Sequence, residues 1–584
     1  MADQVFPEVV HEADVCVVGG GMPGLAAALA AARHGAKTVL MHERPVLGGN
    51  ASSECRVHVS GKGDDVIKIK ETGILEEIRM ENLGRNPNLN YAVWDTLLYE
   101  KARFQEGLTL LLNCSCQEAE LEDGQIRAVR GWQLTTETHH RVTAKIFIDC
   151  SGDAVLAPLS NAPFRVGREA RSEYDEAAAP ETADNKKMGH TCLFAARTYD
   201  TPQPFTPPSW AQRFETADDL PYGGKQIGWL KSGYWWVEVG GQEEWDTIAD
   251  TERIRDELLA IVYGVWDFVK NRSEIDAEHW ALEWVGFLPA KRESRRYVGA
   301  HVLTQNDVEA EGRFDDIVAY GGWTMDDHNP LGFWSGRAGE PATIFHPAPS
   351  PYGIPFRSLY SAAVPNLMFS GRCASGTHMA MSSMRVMGTG VSMGQAAGTA
   401  AALAARDGKL PADLHARMDE LQQTLLYDDC YIPWMPQRFG DATRNARYEV
   451  PSGDGELLRD GVHRPVGEDP HRIPLAPGES ATMTLDAAAS VHHLTVIVDS
   501  ALDRNVELSH LNPNPRLTTP PPVLPKAYRI EAKQGDNWTV LHREDANLSR
   551  LIRVPVQGEA EALRFTLEAT WEDEPSHLYA MYVD

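Results

Sequence analysis

The stretch VCVVGGGMPGLAAALAAARHGAKTVLMHE, residues 15 to 43, constrains the fold more than any other part of the chain. VCVV is a short, continuous apolar run rich in β-branched residues, the pattern of a buried parallel strand. Gly19, Gly21 and Gly24 follow as G-x-G-x-x-G. In this pattern the first glycine makes a tight turn, the second admits a pyrophosphate to the backbone, and the third lets the helix pack on the strand. Ala28, Ala32 and Gly35 keep one helix face small. The helix N-terminus offers unpaired N–H groups and a partial positive charge to a phosphate. TVLMHE reads as a second strand, and Glu43 follows the glycines by about twenty residues, where an acid accepts hydrogen bonds from a ribose. An acid there, rather than a basic cluster, argues against a 2′-phosphate and so against NADP.

The rest of the chain divides by texture. Hairpin strands between residues 117 and 143 lead into a second buried run, IFID, followed by CSGD. From about Pro163 to Pro347 tryptophans, prolines and loop signals dominate, around one amphipathic helix with Ile254, Leu258, Ile261, Val262, Val265 and Val269 on a single face. The apolar texture returns at residues 352–372, before a small-residue helix that stops at Gly408. Beyond about Val450, short strands alternate with turn clusters, the pattern of an all-β sandwich or jelly roll.

Three of these segments resemble FAD-dependent oxidoreductases of the glutathione-reductase/fumarate-reductase type. They are Gly19 to Glu43 with Gly48 and Gly49 behind it, Ile146 to Asp153, and Asn366 to Ala404. The loops YWWVEVGG (234–241), LPAKRESRRYVG (288–299) and GGWTMDDH (321–328) are similar to the subfamily named simply FAD-dependent oxidoreductases. The resemblance implies an α/β chain. It has a Rossmann-like FAD-binding domain (10–160 and 348–435), an inserted α+β cap or substrate domain (161–347), a linker (436–455) and a C-terminal all-β sandwich or jelly roll (456–584). NAD alone accounts for the first segment but not for the other two. The resemblance assigns cofactor contacts to Gly19, Gly21, Met22, Pro23, Gly24, Glu43, Arg44, Gly48, Gly49, Asn50, Ser151, Gly152, Asp153, Gly371, Arg372, Gly390 and Val391. Helix N–H groups near Gly390 to Ser392 are expected to face the pyrimidine edge of the flavin.

Chemistry beside the ring is expected from His378 and Arg385 in the third segment and from His328, Arg295 and Arg296 in the cap. Arg56 and His58 are secondary candidates, and Asp326 or Asp327 is expected to orient His328. Histidine suits proton transfer near neutrality, so His378 or His328 is expected to take the substrate's hydroxyl proton, and arginine grips carboxylates or oxygen-rich groups. Trp235 and Trp236 alternate faces on a strand, so at least one is expected in the core, and the alternative is a stacking platform for a sugar or other ring. The expected reaction is oxidation of a small polar, hydroxylated, sugar-like substrate by a dehydrogenase or oxidase. The alternative is reduction of an activated C=C bond, and a flavin-bound regulatory protein is a third reading.

The formal charge of −28 disfavours nucleic acid and anionic membranes as partners. Eight scattered cysteines without a CxxC pair suggest reduced thiols and no metal site. No apolar run reaches the roughly eighteen residues of a membrane span, and the acidic opening lacks a signal-peptide core, so a cytoplasmic location is expected. Homo-oligomerisation and the electron acceptor are left open.

Overall fold

The computed structural model describes residues 6–61, 70–224, 227–231, 236–509, 516–556 and 558–584. Tyr234 and Trp235 lie outside them. The chain divides into two units: residues 1–63, 94–418 and 507–514 form the first, and residues 64–93, 419–506 and 515–584 the second.

The first unit is built on a parallel five-stranded sheet of β1 (Val15–Val18), β2 (Thr38–Met41), β3 (Leu108–Leu111), β4 (Ile146–Asp149) and β5 (Leu367–Phe369), in the order β5-β4-β1-β2-β3. The central strands β1, β2 and β4 are buried along their whole length, as their unbroken apolar runs require. Helices α1 (Met22–Arg33), α2 (His378–Met384) and α3 (Met387–Asp407) follow β1 and β5. α1 and α3 approach closely: a Cβ at Gly394 or Gly398 would land on the carbonyl oxygen of Pro23 or Ala27. A second sheet, ordered Glu8–Glu12, Thr138–Thr143, Gln125–Gln133, Cys114–Glu122, contains the expected hairpin and shares an apolar core with β1, β2 and β4.

Residues 161–347 contribute short strand pairs and the helix Thr251–Asn271, whose predicted apolar face is buried. The pair that matters for the site is Met325–His328 against Thr343–His346.

The second unit has two antiparallel sheets. One is ordered Arg447–Glu449, Ser480–Ser490, Glu559–Thr570, Pro525–Gln534, Asn537–Glu544, and the other Ile473–Leu475, Ser576–Val583, His493–Val498, Leu551–Pro555. Their inner faces supply one core, including Met483, Ile530 and Leu563 from the first and Leu494, Val496 and Met581 from the second. The unit reaches beyond the expected 456–584. It takes in the helix Ile74–Arg85, whose Met80 and Leu83 enter that core.

Among the described residues, no helix is long and apolar enough to cross a membrane, and no cluster of three or more His, Cys, Asp or Glu could hold a metal ion.

Candidate active site

The glycine turn is shaped by what each missing Cβ would meet. Gly19 has φ +102°, and its N–H donates to the Met41 carbonyl at 2.8 Å. A Cβ there would strike the Cys150 carbonyl. Gly24, inside α1, would drive a Cβ onto the Gly19 carbonyl oxygen. Gly21 differs. It caps α1 without a side-chain bond, and its nearest atoms to an added Cβ are Pro23 Cδ at 3.8 Å and Gly49 Cα at 3.9 Å. The space before the helix N-terminus is therefore open. His42 braces the turn. Its Nδ1 accepts from the Gly20 N–H at 3.0 Å, and its Nε2–H donates to the Val46 carbonyl at 2.9 Å. Burial, with the nearby Arg44 charge, pushes the His42 imidazole down to about 3, so it stays neutral.

This space opens into a cavity of about 450 Å³. Gly19, Gly21, Met22, Pro23, Glu43, Arg44, Gly48, Gly49, Asn50, Ser151, Gly152, Asp153, Gly371 and Arg372 all line it. Asp149 closes the turn after β4, accepting from the N–H groups of Ser151 (2.9 Å) and Leu156 (2.8 Å) and from Tyr297 Oη (2.7 Å). Asp153 accepts from Lys291 Nζ at 2.6 Å. Burial opposes its charge, but Lys291 and Arg372 prevail and hold it below the usual carboxylate range.

Three cofactor assignments need correction. Gly24 does not line the cavity; its lack of a side chain serves the turn itself. Gly390 and Val391 lie inside α3, and the Gly390 N–H is bonded to the Val386 carbonyl at 3.0 Å. Gly390 packs on Pro23, and Val386 and Met387 border the cavity in place of the two expected residues.

At the cap side, Arg295, His328, Arg385 and His58 line the cavity as expected. His328 is held from both sides: Nδ1–H donates to Glu238 Oε2 at 2.8 Å and Nε2–H to Asp326 Oδ2 at 3.1 Å. Burial disfavours its charge, but Asp326 and Glu238 outweigh burial and raise its pKa. The row extends at both ends, through Arg292 Nη2 to Glu238 (3.2 Å) and Arg385 Nη2 to Asp326 Oδ2 (3.3 Å). Asp326, as expected, orients His328; Asp327 does not.

His378 and Arg296 are corrected outright. Neither lines the cavity. His378 is buried, donating from Nδ1 to Glu293 (2.8 Å) and from Nε2 to Asp327 (3.0 Å). With both nitrogens donating to carboxylates it has no lone pair to take a proton. Arg296 is fully buried among Glu293, Glu169 at 2.7 Å and the carbonyls of Gly167 and Gly376. These charges hold the cap loop together behind the site. Burial opposes the His378 charge, yet Glu293 and Asp327 raise its pKa to about 10, well above the 6.5 of a free imidazole. Its stabilisation is therefore complete below pH 6.5 and is lost as pH rises through about 10. His378→Ala is expected to cost about 3–5 kcal/mol at pH 7, because buried Asp327 and Glu293 each lose a charged hydrogen-bond partner, and Glu293 keeps only Arg296 as such a partner. Urea unfolding of both proteins at pH 7 and above pH 10 checks this: the gap should narrow at the higher pH.

Sequence reasoning missed Lys291, Arg292 and Trp323, which line the cavity. In KRESRR every residue is polar, so no period separates those facing the cavity from those facing the core.

The cavity suits a polyanionic dinucleotide. Gly21 leaves a cradle that a Cβ would fill, and Arg44 Nε and Arg372 Nη1 are buried lining donors without a partner among the described residues. The FAD dependent oxidoreductase family matches residues 14–425. Among curated proteins none matches the sequence. Among solved structures, a geranylgeranyl bacteriochlorophyll reductase-like protein from Thermoplasma acidophilum is 12% identical over 72% of this chain and 85% of its own, with a TM-score of 0.30. L-proline dehydrogenase from P. horikoshii is 16% identical over 26% of this chain and 24% of its own, with a TM-score of 0.16, so the chain spans about a quarter of that relative. The family 32 carbohydrate-binding module from Streptococcus pneumoniae EndoD is 11% identical over 24% of this chain and 94% of its own, with a TM-score of 0.18. These TM-scores are low, and the assignment stands on the sequence match over most of the chain: the protein belongs to the FAD dependent oxidoreductase family and is an FAD enzyme.

Proposed function

We propose that this enzyme oxidises a small, polar, hydroxylated substrate bound between the FAD cradle and the row Arg292–Glu238–His328–Asp326–Arg385. The observation that carries the reading is the cationic His328, fixed by two carboxylates at the cavity wall. Bound FAD supplies the two-electron acceptor for a hydride. Gly19, Gly21, Met22 and Pro23, with Gly48, Gly49, Asn50, Gly371 and Arg372, would hold its diphosphate, and Glu43 its ribose. The Gly388 N–H of α3 is taken by the Ser60 carbonyl at 2.7 Å, and the partial positive charge of the helix N-terminus near Met387 would favour negative charge on the flavin.

A hydride leaves a carbinol carbon only as the hydroxyl proton departs. Arg292, His328 and Arg385 place positive charge where that oxygen becomes negative, and pre-oriented charge of this kind lowers the barrier. His328, with both nitrogens donating to carboxylates, has no lone pair for the proton expected of it, and the proton is assigned instead to His58, which also lines the cavity. The same His328 supports a second reading, reduction of an activated C=C bond, because a doubly protonated imidazole has a proton to give.

His328→Ala is expected to keep FAD while slowing its reduction by about 10²–10³-fold, the usual worth of one pre-oriented donor to a developing negative charge. Anaerobic stopped-flow against sugars, polyols, amines and hydroxy acids measures it on the flavin visible band. Bleaching by none of these, together with reoxidation of the dithionite-reduced enzyme by enoates, would replace the first reading by the second.

A further inference from the structure

Trp323 and Arg385, both lining the cavity, carry donors that no described residue satisfies, while in the neighbouring row Glu238 Oε1 is a buried acceptor also without a partner among the described residues. Ser383 Oγ donates to the Trp323 carbonyl at 2.6 Å, and Arg385 Nη2 donates to the Asp326 carbonyl at 3.1 Å. These bonds fasten the backbone at Trp323 and the guanidinium of Arg385, and both residues line the cavity. Arg385 Nε and Trp323 Nε1 are both buried there, and neither has a partner among the described residues. Both groups can only donate. A buried donor left without a partner is costly, so two on residues lining one cavity point to an acceptor supplied from outside.

Asp326 cannot be that acceptor. Its Oδ1 takes the Thr343 hydroxyl at 2.7 Å, and its Oδ2 takes His328 and Arg385 Nη2. The charges of the row also fail to cancel. Arg292, His328 and Arg385 are three cations against the two anions Glu238 and Asp326, which leaves one positive charge. A neutral hydroxyl could accept one of the open hydrogen bonds but would leave that charge standing. A carboxylate has two acceptor oxygens and one negative charge, and answers both deficits.

We propose that Arg385 Nε and Trp323 Nε1 form a carboxylate-binding subsite, and that the substrate class is a hydroxylated monocarboxylate, a hydroxy acid or sugar acid. The proposal rests on the reading of this cavity as the substrate site, and it narrows that reading from hydroxylated compounds in general.

The test is a titration of the oxidised, FAD-loaded, full-length protein with acetate and lactate, and with acetamide and lactamide, at constant chloride. The flavin absorbance difference spectrum is followed. Saturable perturbation by the carboxylates and none by the amides is expected. Arg385→Gln should retain FAD and raise the half-saturating carboxylate concentration about tenfold or more, the worth of one charge-assisted hydrogen bond. Arg385→Lys keeps the charge without the Nε donor, guards against a folding defect, and should also weaken binding. Equal response to amides, no saturable response to either carboxylate, or loss of FAD from both Arg385 variants would overturn the proposal; the last would give these donors to the cofactor. Because the spectrum needs no turnover, carboxylate binding without reduction by any hydroxy compound sinks only the oxidation reading. Reduction by a neutral polyol with no carboxylate effect sinks only this one.

Discussion

Gly21→Val is expected to give folded, soluble, colourless protein. The added side chain meets nothing in the protein closer than 3.8 Å at its Cβ, and Gly21 has an ordinary φ of −63° that valine adopts freely. The valine therefore fills the cradle without disturbing the chain, and FAD loses its place. Gly24→Val should behave in the opposite way. Its Cβ would coincide with the Gly19 carbonyl oxygen, so the turn itself must break. Overpacking of this kind usually costs about 1–3 kcal/mol, and more where backbone is the obstacle. Bound flavin per protein, read beside circular dichroism and a thermal melt, separates the two. Gly21→Val protein that keeps full flavin would show that the diphosphate lies elsewhere.

A chain ended at Val450 is expected to be insoluble. The sandwich texture begins near that residue and suggests a detachable module. Within the second unit, however, residues 70–85 are bound to parts the truncation removes. Lys70 Nζ lies 3.6 Å from Glu76 and 3.4 Å from the Ala501 carbonyl, and both side chains are almost fully buried. Ser500 donates to Glu76, and Arg464 donates to the Lys70 carbonyl at 3.0 Å and to Thr72 Oγ1 at 2.9 Å. Asp429 would lose Arg550, now at 2.9 Å. Stripping one side from a buried ionic group costs about 3–5 kcal/mol, and several go at once, against a typical domain stability of only about 5–15 kcal/mol. Expression of residues 1–450 beside the full chain, with the soluble flavin fraction measured, checks this. A soluble yellow fragment would mean that residues 64–93 find other partners.

The parallel sheet, the glycine turn and Glu43 were legible because their signals are local. Strand, turn, helix and strand follow within about thirty residues, and each residue type answers a need of its neighbours. The apolar face from Ile254 to Val269 was legible for the same reason. His378 was not. Its partners Glu293 and Asp327 lie 85 and 51 residues away, and nothing in SGTHMAMSSMR announces them. His378 and His328 look alike in sequence, and only tertiary contacts put one in the core and the other at the cavity. Gly390 and Val391 failed by one turn of helix, the ordinary error of a boundary read from composition. The helix Ile74–Arg85 was hidden by its own chemistry. It buries Glu76, Arg79 and Asn82 beside its apolar residues, so it carries no clean amphipathic stripe.

The strand Met325–His328 has a consequence for how this protein can change over time. Asp326 and His328 share one face and meet the cavity, while Asp327 between them turns to His378 in the interior. Successive residues of a strand point to opposite sides, so a slip of one position would exchange these duties without altering a single letter of MDDH. A one-residue insertion or deletion just before Met325 is thus a far harsher event for a lineage than most substitutions within the strand. In the connection that follows, Gly332, Phe333 and Ser335 are buried, but the exposed residues 336–341 carry no such register. Length variation there leaves the pairing of Met325–His328 with Thr343–His346 in step, which makes that connection the place where descendants can diverge while the charged row stays aligned.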